Sequence, residues 1–548
     1  MAEERRTASG NWISRIAGVH NLRQTLSAHD AEPVLPLYKS RTADSFITSS
    51  LIAFLVLYAF ISGYFLGVFQ QYVLLQFLGP CLALTVLALW AMPDQTGVSH
   101  HNIERLFFAF IVINVLWPAY LAVSIPGLPW ITLSKLILLA SILGFGIVMA
   151  TDRAARTDIA SIFGRAKFVR FALIMFIATQ FLTLPFSNNI ADSLASAVNS
   201  QFYWTGILLI AMMVTIKPGR VERLAISLLL AAAALSLIAL WEYRIQRLPW
   251  LDHLPSFVRV ADPVVAKMLS GIRRTADGLY RVQTTYTTPL SCAEFMALVV
   301  PFVMHYFLAT RRFIVRVAMV LLYLGIIFTI FVSRSRLGMI GLGLAHLAYP
   351  LLLGIRRRST VRNDLVGPSL IALYPAMLLA FMGALLASRR LYVMFLGGGQ
   401  HQASNDARES MYREGIPLIL THPWGHGMNQ GAGVLGFFSP SGELTIDSYY
   451  LSIGLDFGVL GFIGFYGMLV AAIYFAVRVY FTSRDSEARI AAPVAIALGN
   501  YLVIKSVLSQ SQNQFLMFAL VGVALALNYR FYKAAQPARA DMAAAAAA

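Results

Sequence analysis

Charge is scarce in this chain of 548 residues: Asp, Glu, Lys and Arg make up 13% of it, against about 25% in an average soluble domain. That shortage excludes a water-soluble multidomain enzyme. Acids are scarcer than bases, 26 Asp+Glu to 43 Lys+Arg, which leaves a formal net charge of +17. Cysteine is almost missing, and Cys81 and Cys292 both sit inside apolar runs, which excludes a disulfide framework and a cysteine-based metal site. The first 44 residues are polar and basic and lack an apolar h-region, so no cleavable signal peptide is expected and insertion starts from the first spanning helix. Also lacking are the period-2 and period-3.6 stripes of a half-buried soluble core. What the chain has instead is 58% hydrophobic residues in long runs, with mean hydropathy +0.68. In a soluble chain +17 would suggest nucleic acid, but in a membrane protein it is the ordinary result of basic cytoplasmic loops. No nucleic-acid partner is expected.

A spanning helix needs roughly 20 mostly apolar residues. On that measure the chain predicts fourteen: 45–69, 72–92, 107–125, 130–150, 171–187, 202–216, 224–241, 286–309, 317–332, 337–354, 365–387, 449–477, 490–508 and 514–529. The expected fold class is an all-α polytopic membrane protein, with large external loops at 242–285 and 388–448. The alanine run near the C-terminal end is set aside as low complexity.

Lys and Arg favour cytoplasmic loops. With the N-terminus inside, 28 of the 43 basic residues fall on inner segments, and the short outer loops at 70–71, 126–129, 188–201 and 509–513 carry none. Both termini are therefore expected in the cytoplasm. Two more, Lys135 and Lys505, fall within spans, and the other 13 cluster in three outer places: the two long loops and the junction at 333–336. A clustered exception to the rule calls for an anionic partner on the outer side.

The candidates for chemistry lie in and around those clusters. Arg281 precedes Thr284-Thr285-Tyr286-Thr287-Thr288-Pro289, where hydroxyls and a proline introduce a span. Arg334 and Arg336, in Ser333-Arg334-Ser335-Arg336-Leu337-Gly338, stand between two apolar helices. Guanidiniums at that depth are costly unless they pair or face a polar cavity, and Arg grips phosphate in a bidentate way. The bland alternative is snorkelling to headgroups. Glu294 and Lys505 are intramembrane ionisable residues, each a functional candidate or one half of a structural ion pair. Asp406-Ala407-Arg408-Glu409 fits a capping box that starts a helix, on which Glu409 and Arg413 are spaced for a surface ion pair. His422 and His426, in His422-Pro423-Trp424-Gly425-His426-Gly427, are four apart, but Pro423 and Gly425 break the helix that would align them as metal ligands. No metal and no cofactor are expected. Asp447 and Ser448 lead into the span at 449–477, and Asp447 is either a general base or the cap of that helix.

From Arg281 to Gly467 these residues resemble the O-antigen ligase and O-antigen/exopolysaccharide polymerase superfamily of bacterial membrane glycosyltransferases. The resemblance rests on the Arg and Thr/Pro lead into 286–309, on the Ser-Arg-Ser-Arg-x-Gly junction, and on the Arg-bearing helix before a His-Pro-x-Gly-x-Gly stretch. Most specific is Asp447-Ser448, nine residues, then Gly458-Val459-Leu460-Gly461. Family ligases carry His where this chain has Asp447, whereas polymerases are more permissive there. The N-terminal third has no assignable motif. The domain layout is then a basic cytoplasmic segment at 1–44, one transmembrane domain at 45–530 with the ligase/polymerase-like core at 281–467, and a cytoplasmic tail at 531–548.

The resemblance implies a multi-pass protein of the bacterial inner membrane with its site facing the periplasm. It implies a polymerase of undecaprenyl-diphosphate-linked oligosaccharide repeats for exopolysaccharide or O-antigen. A lipid-linked donor and acceptor, membrane lipids, a chain-length regulator and a flippase are the partners of such a setting. Arg281, Arg334, Arg336 and Arg408 would hold the diphosphate, and Asp447, with His426 and Glu294 behind it, would activate the acceptor hydroxyl. The alternatives are a ligase moving glycan to a second lipid, and a transporter or flippase of lipid-linked glycan. Against the transporter stands the lack of the repeated halves with matched broken helices that such folds show.

Overall fold

The computed structural model describes residues 84–89, 92–95, 98–123, 131–260, 265–266, 269, 278–361, 363–389, 392, 402–438, 444–483 and 485–547. The expected spans at 45–69 and, save for 84–89 and 92, at 72–92 lie outside them, as do the segment 1–44 and three basic residues of the first long outer loop, Lys267, Arg273 and Arg274. The chain divides into two compact units, 1–99 with 146–153, and 100–145 with 154–548. In the smaller one, residues 84–89 are helical and the Gln95 amide donates to the Thr151 carbonyl at 2.8 Å.

The helices from residue 101 on, which belong to the larger unit except for residues 146–153, run as α1 (His101–Leu116), α2 (Leu133–Thr151), α3 (Arg153–Arg165), α4 (Lys167–Leu182), α5 (Ile190–Ser200), α6 (Ile207–Thr215) and α7 (Arg220–Ile245). The order continues through α8 (Pro289–Ala309), α9 (Phe313–Val332), α10 (Arg336–Thr360), α11 (Val366–Ala387), α12 (Gln402–Thr421) and α13 (Gly431–Leu435). Last come α14 (Tyr449–Thr482), α15 (Ala491–Lys505) and α16 (Gln514–Ala547). A π-helical stretch, Gln201–Gly206, joins α5 to α6 into one run. Among the described residues, eleven helices are long and apolar enough to cross a membrane, and each corresponds to an expected span. This is an all-α polytopic membrane protein, with one two-stranded sheet among the described residues.

The expected span at 107–125 is corrected. Its helix, α1, ends at Leu116 after 16 residues, because Pro118 disfavours helical geometry at the residue before it. Residues Leu121–Val123 (β1) then pair antiparallel with Val258–Val260 (β2), Leu121 opposite Val260. The capping box at Asp406 is also corrected: α12 begins earlier, at Gln402, and the Asp406 carboxylate accepts from the Gln402 side-chain amide at 2.8 Å. The Glu409–Arg413 pair forms as spaced, at 2.8 Å on an exposed face.

Small residues set the close approaches that position the site. On α8, Ala293 and Ala297 face Gly338 and Gly341 of α10, where an added Cβ would come within 2.9 Å and 2.7 Å of the two alanines. Helices in lipid associate through such contacts, since apolar burial drives little there. The Asn500 amide of α15 clamps the same pair, donating to the Ala297 carbonyl at 3.1 Å and the Gly341 carbonyl at 3.0 Å. The α8 and α10 N-termini, which bear Glu294 and Arg336, are thereby fixed relative to α15 and its Lys505.

Candidate active site

The α9–α10 junction holds its arginines in a constrained turn. Ser333 closes α9, Arg334 takes a left-handed conformation at φ 53°, and Ser335 caps α10, its hydroxyl accepting from the Gly338 amide. A non-glycine residue in that region costs roughly 1–3 kcal/mol, so the turn is over-determined by what surrounds it. The Arg334 guanidinium lies 4.8 Å from the Phe331 ring centroid, and its buried Nε has no hydrogen-bond partner among the described residues. Arg281 joins this junction: its Nε donates to the Ser333 carbonyl at 3.2 Å, and the neighbouring Val282 amide donates to Val332. Burial pushes the Arg281 guanidinium below its ordinary value, since the charged form is the one that loses solvation.

The Arg281 segment is held from below by Glu242, a fully buried carboxylate at the end of α7. It accepts from the Tyr280 hydroxyl at 2.9 Å and from the amides of Gln283 and Thr284 at 3.0 and 2.7 Å. Thr284 is itself left-handed at φ 55°. Glu242 passes in the sequence as one acid among several in a long loop, and only the fold reveals it as the anchor of the arginine segment.

Helix α12 carries the next elements on one face. Arg408, Met411 and Tyr412 are spaced i, i+3 and i+4, so they project together, and all three meet the lead into α14. The Arg408 Nε stands 3.5 Å from an Asp447 carboxylate oxygen, the Asp447 amide donates to the Met411 sulfur at 3.4 Å, and the Tyr412 hydroxyl lies 2.6 Å from the Ser448 hydroxyl. Arg336 reaches α12 as well, its guanidinium 3.5 Å from the amide oxygen of Asn405, which lies one turn before Arg408 on that helix. Two like charges held near each other beside the N-terminus of α10 sum to a positive field suited to an anion. Asp447 does not cap α14. Ser448 does, its hydroxyl accepting from the Leu451 amide, which leaves the Asp447 carboxylate half exposed beside Arg408.

The other two proposed catalytic residues are not brought there. Glu294 is sealed in a structural pair, 3.0 Å from the Lys505 ammonium with neither side chain exposed, and it also accepts from the Asn513 amide at 2.8 Å. This is the structural ion pair that stood as the alternative to a catalytic role for Glu294. His426 serves the backbone: its amide and Nδ1 both face the Leu455 carbonyl, at 2.9 and 3.0 Å. Its ring is 5.0 Å from that of His422, and among the described residues no group of three His, Cys, Asp or Glu could hold a metal.

The two glycine motifs turn out to be halves of one contact. Gly458 breaks α14 at φ 67°, ψ −169°, and the amide of Val459 donates to the Pro423 carbonyl at 2.9 Å. A Cβ on Gly458 would lie 2.0 Å from that carbonyl oxygen, and one on Gly425 would lie 2.5 Å from the Asp456 carbonyl oxygen. Asp456, which the sequence reading overlooked, ties the loop down with its carboxylate, accepting from the amides of Gly431 at 2.7 Å and Asn429 at 3.2 Å. An acid within an apolar helix was signal enough by the rule applied to Glu294.

Residues 318–466 match the family model described as O-antigen ligase. The matched segment lies within the 281–467 window of the motifs and bears out the superfamily resemblance. It contains Arg334, Arg336, Arg408, His426 and Asp447, while Arg281 and Glu294 precede it. No curated protein matches the chain.

Proposed function

We propose that this chain polymerises undecaprenyl-diphosphate-linked oligosaccharide repeats on the outer face of the bacterial cytoplasmic membrane, and that its second-best reading is a ligase. What supports a glycosyltransferase of this kind is the family match together with one arrangement: Arg408 beside the carboxylate of Asp447, with Arg336 of α10 reaching Asn405 one turn earlier on the same helix as Arg408. The acceptor hydroxyl attacks the anomeric carbon of the donor sugar, and the bond from that carbon to the diphosphate oxygen breaks with its electron pair. The hydroxyl proton passes to Asp447. Negative charge builds on the departing diphosphate, opposite Arg336 and Arg408, with Arg281 and Arg334 at the adjoining turn.

Magnitudes favour this use of Arg408. Its contact with Asp447 is a partly exposed ion pair at 3.5 Å, of a kind worth about 0–1 kcal/mol. Hydrogen bonds to charged groups are worth about 1.5–3 kcal/mol each. An arriving diphosphate therefore outcompetes the carboxylate for Arg408, and donor binding releases Asp447 to act as base. Two or three such bonds, strengthened as the leaving group gains charge, are a useful share of a barrier reduction of roughly 8 kcal/mol or more.

The ligase reading is favoured by the description of the matched family, and the polymerase reading by Asp447 in place of the ligase His. Purified protein given only diphosphate-linked repeats separates them. A polymerase yields a ladder of longer lipid-linked chains, whereas a ligase yields none until a second acceptor lipid is added. Failure of both reactions, with counterflow of labelled lipid-linked glycan in vesicles, would favour the transporter.

A further inference from the structure

A cavity of about 570 Å3 lies in the larger unit, within the roughly 300–1,000 Å3 range of small-molecule sites. Its wall is polar and partly open: Asn114, Ser196, Tyr203, Thr287 and Gln512 are half-buried and Asn199 is exposed. In a membrane protein such residues gather where they line a space that a polar solute or water occupies. Lys135 and Asp456 are the charged residues in the wall. Both carboxylate oxygens of Asp456 already accept backbone amides, so no free acid faces the space. Hydroxyls and amides that donate and accept, with the half-buried ring of Tyr203 among them, match the edges and C–H faces of sugar rings.

The position is as telling as the lining. Two segments of the candidate active site continue into this wall: Thr285 and Thr287 follow Arg281 along one, Tyr449 and Ser452 follow Asp447 along the other. Wall residues thus begin two positions after Asp447 and four after Arg281. Asn114, Lys135, Ser196 and Asn199 also precede residue 318, where the family match begins.

We propose that the cavity is a saccharide-binding site that holds an uncharged, hydroxyl-rich stretch of the acceptor glycan. This rests on the glycosyltransferase reading. The probe is the repeat-unit oligosaccharide released by mild acid from the source organism's own lipid-linked intermediate, free of lipid and phosphate, titrated onto the full-length protein in nanodiscs. Wild type and Arg336→Ala should bind it alike, because the diphosphate is absent. Ser196→Trp, which fills the space, should weaken binding by about tenfold or more, and Asn199→Ala, which deletes one hydrogen-bonding group, by about fivefold. Unfolding temperatures check that each variant is folded, and Asn199→Ala decides if Ser196→Trp is not. Unchanged affinity in a folded Asn199→Ala or Ser196→Trp variant, or no saturation by wild type up to about 10 mM, overturns the proposal. The glycosyltransferase reading fails separately, if cells carrying Arg336→Ala still make long polymer.

Discussion

The Nε of Arg408 lies 3.5 Å from a carboxylate oxygen of Asp447, and a turn later on the same helix the hydroxyl of Tyr412 lies 2.6 Å from that of Ser448. One face of α12 thus grips two consecutive residues ahead of α14. It holds the lead into that helix while leaving an acid beside a base that binds it only weakly, and the first two predictions follow from this pairing.

Arg336→Ala and Arg408→Ala should each abolish long polymer while leaving the protein in the membrane at wild-type level. Arg336→Lys should restore part of the activity, because an ammonium keeps the charge but loses the bidentate fork. Immunoblots of membranes, run beside polysaccharide gels, check both. Normal polymer length in the two alanine variants would sink the leaving-group role.

Asp447→Asn keeps size and shape and removes the proton acceptor. A general base typically contributes about 10²- to 10⁴-fold, so kcat should fall by that order with KM for the donor nearly unchanged. A rate within about tenfold of wild type would move the base elsewhere. Asp447→His would test the other pattern directly, by restoring the residue that the ligases carry.

Gly458→Ala should damage folding before it damages chemistry. The added methyl meets the Pro423 carbonyl oxygen, and the backbone there is left-handed, for a strain of about 1–3 kcal/mol before the clash is counted. A lowered unfolding temperature in detergent checks this. An unchanged temperature would show that α14 can straighten without cost.

The buried pair of Glu294 and Lys505 separates structural from catalytic roles. Lys505→Met strands a carboxylate and should cost about 3–5 kcal/mol of stability. Adding Glu294→Leu should recover much of that loss, since replacing both ends of a buried pair is often close to neutral. Recovery of activity with recovery of stability would confirm that Glu294 moves no proton, whereas stable but inactive double variants would reopen its candidacy.

How much of this was legible in advance differs from element to element. Helix α9, 20 residues long and almost wholly apolar after Arg316, declares itself because 30 Å of hydrocarbon needs about that length. Helix α1 misled, because apolar character continues past Leu116 into residues that pair as a strand, and hydropathy does not distinguish a strand under a loop from a helix in lipid. The arginine junction was legible as well, since guanidiniums between two spanning helices are too costly to be incidental. Glu242 was not, because its role lies in three donors from residues about forty positions away.

By itself, then, the sequence determined the class of the protein, eleven of its long apolar helices and the residue types available for an anion, because hydrophobic length and the cost of charge in lipid are local properties. Only the tertiary structure decided which of those residues meet. It put Asp447 beside Arg408 and gave the cap to Ser448, spent Glu294 on Lys505, and turned His426 toward the backbone at the Gly458 break. Those outcomes depend on which helix faces lie together, and that follows from close contacts such as Gly338 on Ala293 and Gly341 on Ala297, which no local pattern encodes.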